Sequence, residues 1–195
     1  MPRKSPGAPR SAPNQVRIIG GQWKRTKLPV LDKAGLRPTP DRVRETLFNW
    51  LGHDLQGWKC LDAFAGTGAL GLEAASRGAD EVTLVEQDPQ LVDKLRDVVA
   101  KLQAHGVRVQ RGNGLSVLAG SGPRTLDVVF LDPPFDDELW DKALPAAARA
   151  VKPEGFIYLE APVEWKDEVL APLGLSRAKH MKAGAVHAHL LQCTA

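Results

Sequence analysis

The amino-acid sequence predicts an α/β fold: a mostly parallel seven-stranded sheet, helices on both faces and a small N-terminal hairpin and helix. From Trp58 onward, short apolar runs typical of buried strands alternate with longer amphipathic runs typical of helices. Such alternation indicates a mostly parallel sheet that is covered on both faces. The segment 175–195 adds two strands around Ala183-Gly184, which brings the predicted sheet to seven strands.

The composition bounds the kind of protein. The chain has 195 residues, enough for one domain with a small appendage and a sizeable core. Cys60 and Cys193 lie far apart without metal-ligand spacing, so we expect buried, reduced thiols, as in a cytoplasmic protein. The five histidines read as scattered surface residues, and we expect no metal site. No apolar run reaches the roughly 20 residues of a membrane span, and no secretory signal is recognisable.

The net charge of +3 is unevenly distributed. Residues 1–44 contain eleven lysines or arginines and two acids, a net of +9, which leaves −6 for the remainder. A basic front joined to an acidic body predicts contact with a polyanion. Residues 1–14 are rich in proline, serine and alanine without apolar periodicity, and are therefore expected to form a disordered basic tail.

Residues 15–52 are expected to form an N-terminal extension, and residues 53–195 the main domain. QVRIIGGQWKRTKLPV contains two short apolar stretches around Gly20-Gly21, which predicts a hairpin. Its charged residues are all basic, and a tryptophan among cations suits nucleic acid, although a core position explains the tryptophan nearly as well. The candidate nucleic-acid-binding residues are Arg17, Trp23, Lys24, Arg25 and Lys27.

The run LRPTPDRVRETLFNWLG predicts the first helix. Thr39 or Asp41 is the expected N-cap, with Pro40 tolerated in the first turn. Apolar residues then mark one face of the helix, and Gly52 or the residues after it end the helix.

The elements after Trp58 are predicted in alternation. The strands read KCLDAFA, EVTLVEQD, VRVQRGN, TLDVVFLD and FIYLEAP. The helices read GALGLEAASRG, PQLVDKLRDVVAKLQAHG, DELWDKALPAAARAVK and EWKDEVLAPLG. We expect Gly106 to close the second of these helices and Pro145 to interrupt the third.

A glycine loop follows the first strand of the main sheet. Gly66, Gly68 and Gly71 match GxGxxG, and Glu86 follows Gly66 by 20 residues at the end of the next strand. This is the dinucleotide fingerprint with its ribose-binding acid, so an NAD-dependent oxidoreductase is one alternative. Asp62, ahead of the loop, would repel a pyrophosphate, but suits a cofactor with a cationic sulfonium and an amino-acid tail, such as S-adenosylmethionine.

The segment LDPPF ends the buried strand 126–131. Pro133 and Pro134 cannot donate to a strand ladder, so the strand must stop and place Asp132 at the carboxyl edge of the sheet. Ligands of such sheets bind outside the carboxyl ends of the strands. Taken alone, LDPPF is equally well explained as an ordinary turn.

Taken together, these motifs resemble a known family. DAFAGTGALG, LVEQD and LDPPF resemble class I S-adenosylmethionine-dependent methyltransferases with a Rossmann-like fold that methylate planar amino nitrogens. RIIGGQWKRTKLPV, LRPTPDRVRETLFNWL and LDAFAGTGALGLEAASRGA are similar to the RsmD family, which methylates the exocyclic N2 of a guanine in small-subunit (16S) ribosomal RNA. The resemblance covers residues 16 to about 162. In the tail, His187 and His189 stand where the resemblance implies an aromatic and a basic residue.

The resemblance implies a role for each motif. Asp132 and the Pro133 carbonyl would accept the two guanine N–H bonds, Pro134 would stiffen the turn and Phe135 would stack on the base. The implied S-adenosylmethionine-binding residues are Asp62, Phe64, Gly66, Gly68, Glu86 and Asn113, with Arg37 and Thr39 as candidates for the cofactor's carboxylate or the RNA. A plain turn for Asn113, and helix initiation for Arg37 and Thr39, explain those residues about as well.

Several alternatives stay open from the sequence. The chain could methylate a DNA adenine or a protein glutamine, since LDPPF is shared by these enzymes. A non-catalytic RNA-binding module with the same fold is a further alternative. The resemblance implies action on 16S ribosomal RNA or on the assembling 30S subunit. We expect a monomer that needs no metal, because the sulfonium charge already activates the leaving group.

Overall fold

The computed structural model describes residues 15–33, 36, 38–133 and 137–194. The predicted basic tail, residues 1–14, lies outside the described residues. Helices and strands follow in the order β1 (Gln15–Arg17), β2 (Lys27–Pro29), α1 (Asp41–Leu51), β3 (Lys59–Asp62), α2 (Ala69–Ser76), β4 (Glu81–Glu86), α3 (Pro89–Lys101), β5 (Val107–Arg111), α4 (Gly114–Gly120), β6 (Leu126–Leu131), α5 (Asp137–Ala150), β7 (Val151–Ala161), α6 (Asp167–Leu170), a 3-10 turn (Ala171–Leu173), β8 (Leu175–Ala183) and β9 (Val186–Cys193).

The main sheet has seven strands in the order β5-β4-β3-β6-β7-β9-β8. The first five are parallel, whereas β9 runs antiparallel to both β7 and β8. β1 and β2 form the predicted antiparallel hairpin, separate from this sheet. The chain moves outward in one direction from β3 and then returns to β6 on the other side, so the switch point of the sheet lies between β3 and β6.

Each face of the sheet is covered by helices, as predicted. One hydrophobic cluster joins one face to the hairpin, α1, α2 and α3, and includes Val16, Phe48, Leu72, Leu95 and Phe130. The other joins the opposite face to α4, α5 and α6, and includes Leu118, Trp140, Leu144, Leu159 and Leu170. The N-terminal extension thus shares one core cluster with the domain proposed to begin at residue 53.

A buried ion-pair network also ties the extension to the main domain. Arg44 of α1 is fully buried and lies 3.6 Å from Glu73 of α2, also fully buried. The Glu73 carboxylate accepts from the backbone N–H groups of Ile19 and Gly20 at 2.8 Å. Because each buried charge is paired and hydrogen-bonded, the hairpin has a specified position on the sheet.

Three details of the helices differ from the sequence expectations. α3 ends at Lys101, before Gly106, whose added Cβ would lie only 2.3 Å from Asp80 O; close chain approach therefore explains this glycine. α5 runs through Pro145 without interruption. Pro145 is exposed, so water can satisfy the carbonyl that its missing N–H leaves free. The short α4 was not predicted.

The start of α1 also differs. Pro40 occupies the N-cap position, and neither Thr39 nor Asp41 supplies a side-chain cap. Gly52 ends the helix as expected. Both cysteines are free, Cys60 buried and Cys193 half-buried. Within the described part of the chain, no helix has the length and apolar character needed to span a membrane.

Candidate active site at the carboxyl edge of the sheet

Three carboxyl groups meet at the carboxyl edge, around the switch point. Asp62 ends β3, Glu86 ends β4 and Asp132 directly follows β6. β3 lies between β4 and β6, with Asp62 in register with Leu84 and Phe130. The structure therefore brings together three acids that stand far apart in the sequence.

The glycine loop leads from β3 into α2. Gly66 and Gly68 have φ angles of +53° and +78°, a left-handed conformation that strongly favours glycine. Gly68 is the N-cap of α2. At Gly71 an added Cβ would lie 2.2 Å from Leu84 Cδ2, so this glycine permits close packing of helix on strand. Backbone shape and packing therefore explain the motif's spacing.

Glu86 is hydrogen-bonded to the backbone of the glycine loop. Its Oε2 accepts from Gly66 N at 3.0 Å, and its Oε1 accepts from the N–H groups of Gln87 and Asp88 at 2.8 and 2.9 Å. The side chain is half-buried. A carboxylate has about four lone-pair positions, so these three bonds leave capacity for about one further donor.

Asp62 is almost fully buried, at 1% exposure. Its Oδ2 accepts from Gly71 N at 3.0 Å, whereas the buried Oδ1 has no hydrogen-bond partner. Burial raises the pKa of Asp62 to about 7, against the opposing effect of the backbone N–H groups of Gly71 and Phe64. A buried acceptor without a donor is costly, which marks Oδ1 as a position where a ligand donor would be favourable.

Phe64 lies just before the glycine loop, and Asn113 lies at the start of α4. Asn113 is exposed and caps α4, because its Oδ1 accepts from Ser116 N at 3.1 Å. Gly114 approaches the segment before the glycine loop so closely that an added Cβ would lie 1.9 Å from Ala63 O and 3.4 Å from Phe64. Asn113 therefore has a structural role as the N-cap of α4, and its contact with a cofactor stays a prediction.

Asp132 lies beside side chains that are distant from it in the sequence. Thr39 Oγ1 lies 3.3 Å from Asp132 Oδ2 and 2.9 Å from Glu160 Oε1. Tyr158 OH donates to the same Glu160 oxygen at 2.7 Å. Burial, followed by the charge of Glu160, raises the pKa of Asp132 well above its ordinary range. The Thr39 hydroxyl therefore bridges Asp132 and Glu160.

Glu160 and Tyr158 are functional candidates that sequence reasoning missed. Both lie on β7 and are buried, Glu160 at 5% exposure. The available signal was an acid inside the apolar run FIYLEAP, at the end of a strand. Among the remaining predicted residues, Pro133 is buried beside Asp132, whereas Arg37, Pro134 and Phe135 lie outside the described residues.

The candidate nucleic-acid residues do not form one patch beside these acids. Arg17 Nε donates to Asp41 Oδ2 at 2.7 Å. Trp23 is half-buried against the core. Its backbone N–H donates to Oγ of Ser76, the last residue of α2. The glycine loop lies at the first turn of α2, and eight helical residues span about 12 Å.

The hairpin turn therefore lies at the far end of α2 from the glycine loop. Lys24 and Arg25 are exposed at this turn, and Lys27 is exposed on β2, opposite Arg17.

The expectation of scattered surface histidines is wrong for three of the five. His180, His187 and His189 lie together, with one nitrogen of each within 4.8 Å of the others, and His189 is fully buried. Pairing of β8 with β9 brings them onto one face.

Comparison with known proteins identifies the family. The family described as Conserved hypothetical protein 95 matches residues 16–192. Ribosomal RNA small subunit methyltransferase D of Escherichia coli (strain K12) is 47% identical over 156 residues, which cover 79% of this chain and 78% of the relative. The protein of the same name from Haemophilus influenzae is 39% identical over 187 residues, covering 93% and 96%.

A solved structure of yhhF from Escherichia coli has the same fold. Its TM-score is 0.78 at 41% identity, and the match covers 92% of this chain and 98% of that one. These matches extend over most of the chain and confirm the resemblance of its motifs to the RsmD family. The chain belongs to the family of ribosomal RNA small subunit methyltransferase D.

Proposed function

We propose that this protein transfers a methyl group from S-adenosylmethionine to the exocyclic N2 of a guanine in 16S ribosomal RNA. Membership of the family gives the reaction class and the kind of RNA. The observation that carries the site assignment is the position of Asp132, directly after β6, with its carboxyl group beside Thr39 and Glu160.

The crevice beside the glycine loop suits the proposed cofactor. Asp62 Oδ1 is a buried acceptor that lacks a donor, and the ammonium and hydroxyl groups of S-adenosylmethionine are donors. Glu86 retains capacity for one ribose hydroxyl beyond its three backbone bonds. Gly66 and Gly68 allow close approach of the backbone, Phe64 supplies an apolar wall, and Asn113 is assigned to the adenine edge. When bound, S-adenosylmethionine supplies an electrophilic methyl group on a cationic sulfur.

Asp132 and Pro133 are assigned to the guanine. The lone pair of the guanine amino group is delocalised into the ring, so the nitrogen is a poor nucleophile. Two acceptors on its N–H bonds, Asp132 and the backbone carbonyl of Pro133, hold it in place and favour pyramidal geometry. The prolines make these acceptors rigid, which lowers the reorganisation needed in the transition state. Phe135 is assigned to stacking on the base, which is worth about 1–3 kcal/mol.

Thr39 and Glu160 are assigned to positioning Asp132. A hydroxyl group has one proton, so Thr39 donates to only one of the two carboxyl groups at a time. The shorter contact, to Glu160, takes that proton. The contact with Asp132 is then favourable when Asp132 is protonated and donates to Thr39 Oγ1, in agreement with its raised pKa.

The exposed cations of the hairpin are assigned to phosphate groups of the RNA. Lys24, Arg25 and Lys27 are exposed and are therefore open to contact with RNA outside the modified nucleotide. Family membership disfavours the NAD-dependent oxidoreductase and the non-catalytic module, and it favours RNA over DNA adenine or protein glutamine.

A substrate comparison tests the proposal. The protein is incubated with methyl-labelled S-adenosylmethionine and, separately, with 16S RNA, DNA and a protein extract. We expect label in 16S RNA, recovered as N2-methylguanine after digestion, and incorporation at least about 100-fold slower with the Asp132→Ala variant. Label that enters adenine of DNA or glutamine of protein instead would overturn the assignment.

A further inference from the structure

Three histidines converge on the antiparallel hairpin at the edge of the sheet. His187 and His189 are two residues apart on β9 and therefore point to the same face. His180 on β8 is the direct cross-strand partner of His189, which places it on that face too. The three imidazoles therefore lie on the same face of the β8–β9 hairpin.

The distances are close to those of a metal site. His180 Nε2 lies 2.9 Å from His187 Nδ1. One nitrogen of each of the three rings lies within 4.8 Å of a nitrogen of each of the other two. Two nitrogens bound to one tetrahedral Zn²⁺ at about 2.0–2.1 Å lie about 3.3 Å apart. The first pair must therefore separate slightly, and nitrogens as far apart as 4.8 Å must approach each other.

The partners behind the rings match those of metal-binding histidines, which commonly donate their second N–H to a backbone carbonyl or a carboxylate. His189 Nδ1 lies 3.3 Å from Leu159 O, which places the proton on Nδ1 and leaves Nε2 as the acceptor nitrogen. Glu164 Oε1 lies 4.0 Å from His180 Nδ1. Arg177 Nη1 donates to the same Glu164 oxygen.

One contact must be exchanged for an ion to bind. His189 Nε2 accepts from the backbone N–H of Trp165 at 3.0 Å. Trp165 belongs to the connection between β7 and α6, where the neighbouring Val163 and Glu164 are exposed. A small displacement of this connection frees Nε2 without disturbing a strand.

We propose that His180 Nε2, His187 Nδ1 and His189 Nε2 bind one divalent transition-metal ion. Three imidazole nitrogens with an open position for water suit Zn²⁺, and imidazole also suits Cu²⁺ and Ni²⁺. Leu131, Leu159 and His189 are in register across β6, β7 and β9, which places the site two strand spacings, about 10 Å, from the end of β6. The ion would join β8 to β9, because its ligands lie on both strands.

Metal titration of the full, untagged chain tests this site. After removal of metal by a chelator, Co²⁺ is titrated while its visible absorption is recorded, and Zn²⁺ binding is measured by calorimetry. We expect one equivalent of either ion to bind, with a rise in thermal midpoint on Zn²⁺ addition. His180→Ala and His187→Ala should each weaken Zn²⁺ binding by at least about 100-fold, because loss of an outer partner alone costs 10–100-fold.

His105→Ala is the matched control. His105 is exposed between α3 and β5, so this variant should bind one equivalent with unchanged affinity. His180→Gln and His187→Gln replace the alanine variants if circular dichroism shows that those do not fold. Absence of stoichiometric binding to the parent, or equal affinity in parent and folded variants, would overturn the proposal.

Discussion

Asp132 and Glu160 are bridged by a single hydroxyl group, because Thr39 Oγ1 lies 3.3 Å from one carboxyl group and 2.9 Å from the other. One hydroxyl proton cannot serve two carboxylates, so the arrangement favours a proton on Asp132. A protonated Asp132 presents a carbonyl acceptor on one side and a donor toward Thr39 on the other. An asparagine has the same pattern of donor and acceptor, and this likeness determines the first prediction.

Asp132→Ala should lower single-turnover methylation of saturating RNA by about 100- to 1000-fold, as when one preorganised polar partner is removed. Asp132→Asn should stay within about tenfold of the parent, because it loses no more than the net worth of one hydrogen bond. Both should bind S-adenosylhomocysteine nearly as well as the parent. If the folded asparagine variant is as inactive as the alanine variant, Asp132 must carry a negative charge and a neutral acceptor at this position is not sufficient.

Glu160→Gln should move the pH dependence of methylation to lower pH. The negative charge of Glu160 raises the pKa of Asp132, so its removal lets Asp132 ionise more readily. An ionised Asp132 is the stronger acceptor for the guanine N–H, and the single-turnover rate should therefore rise at a lower pH than in the parent.

Glu168→Gln, an exposed substitution on α6, should leave that profile unchanged. Asp132→Asn should abolish the rise altogether. A profile that is identical in the parent and the Glu160→Gln variant would show that Glu160 does not act through Asp132.

Asp62 should make the protein less stable as pH rises from about 4 to about 7. Its pKa is raised from 3.8 to about 7 by burial, so in this range the folded state binds a proton that the unfolded state has lost. The contribution of Asp62 to the free energy of unfolding should fall by up to about 4 kcal/mol across this window, at about 1.4 kcal/mol per pKa unit. Urea unfolding of the parent and the Asp62→Asn variant at several pH values measures the difference. Parallel curves would contradict the raised pKa.

Glu86→Ala should weaken binding of S-adenosylhomocysteine by about 1.5–3 kcal/mol, the range for hydrogen bonds to a charged group. Loss of the bond to Gly66 N should also loosen the glycine loop. Glu81→Ala, at the exposed other end of β4, is the matched control and should bind normally. Equal affinities in the two folded variants by isothermal titration would mean that Glu86 does not contact the ligand.

Reversal of Lys24, Arg25 and Lys27 to glutamate should weaken RNA binding and flatten its salt dependence. Each lost phosphate contact changes the slope of log K against log salt by about 0.7 to 0.9. Arg17 is left unchanged because it pairs with Asp41, which also contacts the buried Arg44.

The matching control reverses three cations of α3, namely Lys94, Arg96 and Lys101, which alters net charge equally. Filter binding of 16S RNA at several salt concentrations compares the two. An equal effect of both triple variants would show that only net charge matters, and no change in the hairpin variant would make the hairpin cations structural.

The alternation of strands and helices was predicted by the sequence because it depends on local periodicity. An apolar run followed by a turn signal fixes a strand and its end, so the positions of Asp62, Glu86 and Asp132 at strand ends followed directly. Gly66 and Gly68 were readable for the same reason, since a left-handed φ is a property of one residue. The bounds of α3 and the continuity of α5 were less readable, because packing on Asp80 and solvent exposure of Pro145 decide them.

Only the tertiary structure decided which side chains meet. Thr39 is 93 residues from Asp132 and 121 from Glu160, and no local pattern encodes such contacts. The hairpin's place on α2 depends on the hydrogen bonds that the backbone N–H groups of Ile19 and Gly20 donate to the buried Glu73. The three histidines of the edge hairpin read as unrelated surface residues until the register of β8 and β9 set them on one face. Strand register and the packing of one face on another are long-range quantities, whereas sequence periodicity reports only the local backbone.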